Sequence, residues 1–149
     1  MKNFWSYFVG GFLVLGLIVF FLVPRPEPSH SMTPPDTSRL AEGDPIANVS
    51  IPTELSSNAQ IGKTAFEAKC AACHGTNAAG QNGVAPPLVH KIYEPSHHGD
   101  EAFWIATQRG VRSHHWKFGD MPQVDGLTRG DVKMIVAYVR ELQRANGIN

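Results

Sequence analysis

Residues 69–80 read KCAACHGTNAAG and hold both cysteines of the chain, Cys70 and Cys73, with His74 directly after the second. Two thiols and an imidazole at this spacing suit four chemistries: a structural disulfide, a thiol redox couple, a zinc corner, or the covalent attachment of a haem. A disulfide between residues three apart closes too short a loop to constrain the unfolded chain much. A thioredoxin-like couple sits in a βαβ context, and no strand pattern precedes Cys70. Zinc in a structural site takes four ligands, and the later histidines do not follow the usual finger spacing. C-x-x-C-H, by contrast, is the pattern of c-type haem attachment. The two thiols add to the two vinyl groups, and the next residue delivers an imidazole to one face of the iron. Haem attachment is therefore the reading adopted for Cys70, Cys73 and His74.

The flanking chain says where such chemistry would take place. After residues 1–3, FWSYFVGGFLVLGLIVFFLV (residues 4–23) runs for 20 residues without a charge. As a helix it would rise about 30 Å, enough to cross a bilayer. A cleaved secretory signal has a shorter apolar region and ends in small residues, whereas Pro24-Arg25-Pro26-Glu27 follows here. An uncleaved transmembrane anchor is expected, with residues 1–3 cytoplasmic and the rest of the chain outside. Lys2 gives a weak positive-inside bias that Arg25 blunts, and Phe4, Trp5 and Tyr7 would lie in the interfacial belt. Residues 24–57 hold seven prolines and little apolar periodicity, and are expected to be a flexible linker. Residues 58–146 form the one domain that a chain of 149 residues has room for. The formal net charge is zero, which gives no reason to expect nucleic acid or a strongly charged partner.

Three helices are expected to position the site. The first is capped by Ser57 or Asn58, carries Ile61, Ala65, Phe66 and Ala68, and runs into Cys70. Gly62 inside it is costly unless another backbone must come close. The second runs from Asp100, as its cap, to Arg109, with Gly110 as its stop. The third follows Thr128-Arg129-Gly130-Asp131, a capping box with aspartate in place of glutamate. Val132, Ile135, Val136, Val139 and Leu142 then recur at helical spacing, and Gly147 closes the helix. No stretch alternates like a strand, so the domain reads all-α. Three short helices and two long loops leave a thin core for this length, which a bound group would fill.

A six-coordinate haem needs a second axial ligand. GDMPQVDGLT places Met121 in a loop next to a proline, where a core-filling methionine is less expected. Met121 is the favoured distal ligand, and His114 or His115 the alternative. A thioether ligand raises the reduction potential relative to a second imidazole. The histidine pairs His97-His98 and His114-His115, with His90, read first as surface or pocket-packing residues. A second metal site, for copper, is the sharper alternative.

The CAACH, APPL, DMP and IVAYVREL stretches together resemble the class I monohaem c-type cytochromes, of the membrane-anchored bacterial kind, over residues 58–146. The resemblance implies a fold of three main helices around one covalent haem c with its iron. It implies that Gly62, Phe66 and Tyr138 mark the crossing of the first and last helices. It further implies that Pro86 offers its carbonyl to the proximal His74 and that Leu88 packs on the haem. Residues 89–118 match the family poorly, and Trp104, Arg112 and Trp116 are candidates to face the propionates. The function implied is that of a one-electron carrier, not an enzyme, at the periplasmic face of a bacterial inner membrane. Its partners would be a quinol-oxidising complex and a terminal oxidase or reductase. The alternatives are a haem subunit of a larger membrane oxidoreductase, or a haem protein with an additional His-bound copper site.

Overall fold

The computed structural model describes residues 9, 12–14, 16 and 32–149. Of the expected membrane span, residues 4–23, Val9, Phe12, Leu13, Val14 and Gly16 are described, all helical and exposed; the rest lies outside the described residues. Among the described residues no helix is long and apolar enough to cross a membrane.

The domain is built from α1 (Ser57–Lys69), α2 (Ala71–His74), α3 (Asp100–Arg109) and α4 (Arg129–Ala145), with single 3-10 turns at Thr76–Ala78 and Lys91–Tyr93. No strand forms among the described residues; isolated bridges join Gln81 to Ala85 and Val111 to Met121. The helix caps differ in detail from expectation. Ser56, rather than Ser57 or Asn58, caps α1, its hydroxyl accepting from Ala59 N. Three consecutive residues here have capping side chains, so local preference alone cannot choose among them. Glu141 selects Ser56 by accepting from its hydroxyl and its amide, at 2.6 and 3.1 Å. Asp100 is the first residue of α3, after Gly99 in the cap position, because its carboxylate is engaged by Arg140 at 2.9 Å. The capping box of Thr128 and Asp131 forms in full.

Helices α1 and α4 cross to make the core. Ala59, Gly62 and Phe66, spaced three and four apart, are the buried stripe of α1. They meet Ile135, Tyr138, Val139 and Leu142 of α4, and the Phe66 and Tyr138 rings lie 5.6 Å apart, tilted. A Cβ on Gly62 would overlap the Met134 carbonyl. The glycine thus exists for the close approach of two helix backbones.

Residues 40–56, which composition assigns to the linker, are held against the domain. Gly43 N donates to Asn82 O, and Ile46 N and Ala47 N both donate to Ala79 O, at 2.9–3.1 Å. Ser50 and the Asn146 side chain exchange two bonds of 2.8 Å. Val49 and Leu55 pack on the core. Proline kept this segment out of helix and sheet, and its backbone groups found partners in a loop and a side chain instead.

Candidate functional site

Cys70 ends α1 and begins α2, so the backbone turns without leaving helical geometry. Its carbonyl accepts from Cys73 N at 3.1 Å and from His74 N at 2.9 Å. One turn therefore carries both thiols and the imidazole on neighbouring positions. The Gln81 side-chain amide steadies it by donating to the carbonyls of Ala72 (2.8 Å) and Cys73 (3.0 Å), which a helix this short leaves open. The two cysteines are not bonded to each other. Burial, helped by the neighbouring Cys73, pushes the Cys70 thiol up to about 11. A redox couple needs the opposite, a stabilised thiolate.

The His74 ring is half-buried, and its Nδ1 donates to Pro86 O at 2.9 Å. That bond places the lone pair on Nε2 and fixes the ring plane. Burial also pushes the imidazole toward its neutral form. Leu88 is buried in the core cluster, its amide donating to Ala78 O at 2.9 Å. Ala78 is itself left-handed, at φ 59°, a conformation that costs alanine about 1 kcal/mol or more.

Met121 is half-buried and exchanges two backbone bonds of 2.9 Å with Val111. Gly110 makes this pairing possible. It sits at φ 70°, ψ −177°, a region nearly confined to glycine, and a Cβ there would overlap Met121 O. In the sequence Gly110 is legible only as a helix stop. Gly110→Ala is expected to destabilise the domain by roughly 2–3 kcal/mol, measured as a lowered thermal midpoint by circular dichroism.

The other candidates separate. Arg112 is exposed, and Trp104 lies under the Arg129 guanidinium at 5.7 Å. Trp116 is buried, and its indole N–H makes no hydrogen bond. Burial pushes the Tyr93 hydroxyl upward. Tyr93, which packs against the core cluster, carries no local mark in the sequence.

The family profile described as Cytochrome c matches residues 59–143. The chain belongs to the cytochrome c family. No match was found among the curated proteins or the solved structures. Members bind haem c covalently, with its iron, and serve as haem-based electron carriers. The residues of this cytochrome c domain fit that group. Two unbonded thiols and an anchored imidazole share one turn.

Proposed function

We propose that the protein is a membrane-tethered one-electron carrier whose haem is held by Cys70 and Cys73 and ligated by His74 and Met121. The observation that carries this reading is the His74–Pro86 bond of 2.9 Å within the CAACH turn. It holds the imidazole with Nε2 available, as an iron ligand must be. Bound haem supplies a ferric–ferrous couple. His74 and Met121 would both ligate the haem iron, which would leave no open position for a substrate. Burial around the site and the thioether ligand would both favour the ferrous state and raise the potential.

The tether is supported by the exposed apolar helical residues Val9, Phe12, Leu13 and Val14. With residues 40–56 strapped to the domain, the linker proper shortens to residues 24–39. The domain would then work close to the outer face of the inner membrane, between a quinol-oxidising complex and a terminal oxidase or reductase. Zero net charge gives such encounters little long-range steering.

Met121→Ala tests the ligand set. The reduced wild type is expected to stay six-coordinate and to resist carbon monoxide. The variant should lose the methionine–iron charge-transfer band, bind carbon monoxide readily and fall in reduction potential. An unchanged low-spin spectrum with no fall in potential would transfer the distal role to a histidine.

A further inference from the structure

Two loops outside the haem turn bring four histidines together. His97 and His98 close the turn after Lys91–Tyr93, their amides donating to Glu94 O at 3.1 and 2.8 Å. His114 and His115 lie in the loop whose base is the Val111–Met121 bridge. That loop is held by Ser113 N donating to Asp120 Oδ1 at 2.8 Å. The donor atoms of His97, His98 and His115 all lie within 4.8 Å of one another.

We propose that His97, His98 and His115 form a three-imidazole site for a late first-row transition-metal cation, copper(II) or zinc(II). His97 Nε2 and His115 Nε2 are 3.2 Å apart. Two nitrogens at about 2.0–2.1 Å from a tetrahedral ion stand about 3.3–3.4 Å from each other, so this pair already has the edge length of such a site. His98 Nδ1 donates to Ile92 O at 2.7 Å. This is the outer-shell bond that orients a ligating imidazole and leaves Nε2 as the donor atom. His114 is bonded the same way, Nδ1 to Arg112 O at 2.9 Å, and its ring lies 4.4 Å from that of His115. Among the described residues no carboxylate joins the group, which sets it against calcium and magnesium and in favour of imidazole-seeking metals. Copper(II) should bind most tightly, by the general affinity order. The competing account is a simple N–H···N bond between His97 and His115, which would leave no affinity for metal.

The site shares no residue with the proposed ligands His74 and Met121, and His97→Gln leaves even the alternative distal ligand, His115, in place, so its test stands apart from the haem assignment. The haem-loaded full chain, stripped with chelator, would be titrated with copper(II) and in parallel with zinc(II). One equivalent of metal beyond the haem iron is expected, with nitrogen splittings in the copper electron-spin resonance spectrum. His97→Gln/His115→Gln should weaken binding at least about 100-fold while the haem spectrum stays that of wild type. Should the double variant fail to carry haem, His97→Gln alone, at an exposed position, should still weaken binding by about 10-fold or more. Saturable binding of only one of the two ions, lost in the variants, supports the site and names its metal. Absence of saturable binding, or variants that bind as wild type does, would overturn it.

Discussion

Gly62→Ala is expected to cost the domain more than about 3 kcal/mol, against a gain of about 1 kcal/mol from helix propensity alone. The two effects oppose each other, and their magnitudes decide the sign. Alanine orders the helix at lower entropic cost than glycine. Its methyl group, however, would overlap the carbonyl carbon and oxygen of Met134 and stand 3.0 Å from Ile135 N. These are backbone atoms in the middle of α4, so no side-chain rotation relieves the overlap. The helices must separate, which loosens the Phe66–Tyr138 contact of 5.6 Å and the core around it. Gly130→Ala provides the contrast, since its Cβ would meet only Thr128 Oγ1, at 3.5 Å. In the first turn of α4 that substitution should be neutral or stabilising by up to about 1 kcal/mol. Thermal midpoints of the haem-loaded proteins separate the two. If both alanines behaved alike, backbone approach at the helix crossing would not be what fixes Gly62.

The features legible in the sequence are those carried by neighbours along the chain. CAACH is five consecutive residues with one chemical use, and the Thr128–Asp131 box and the periodic valines of α4 are signals within a few turns. Gly62 was legible for a different reason: a glycine inside a helical pattern demands an explanation, and the crossing is that explanation. What stayed hidden depends on contacts between distant residues. The strap of residues 40–56 looks like linker because its anchors, Asn82 and Asn146, are ordinary loop and helix-end residues until the chain folds. Gln81, which steadies the CAACH turn, carries no local mark either. The histidine pairs were visible, and a shared metal site was the alternative expectation, but which rings meet was not legible, since residues 98 and 114 must be brought together by α3 and the loop after it.

Arg140→Met should cost on the order of 3 kcal/mol and should release residues 89–98 from the body of the domain. Arg140 interrupts the apolar face of α4, yet its side chain is only 8% exposed. Its guanidinium donates to Tyr93 O (2.6 Å), His98 O (2.6 Å) and Gln143 Oε1 (2.7 Å), and lies over the Phe103 ring at 5.1 Å. The fully buried Gln143 completes the clamp by donating to Leu88 O at 2.8 Å and Tyr93 O at 3.0 Å. Two side chains of one helix thereby satisfy the carbonyls of a loop whose regular structure is a single 3-10 turn, Lys91–Tyr93. Methionine matches the length and fills the space, but it leaves His98 O without this donor and Gln143 Oε1 without its charge-assisted bond. Arg140→Lys should recover only part of the loss, because an ammonium cannot present the planar fork that reaches several acceptors at once. The ion pair is the lesser contribution: Asp100 is 71% exposed, so Asp100→Asn should cost under about 1 kcal/mol. Amide hydrogen exchange gives the local readout, with protection in residues 89–98 falling in Arg140→Met and holding in Asp100→Asn. Equal losses in the two variants would assign the clamp to the Asp100 ion pair rather than to the loop carbonyls.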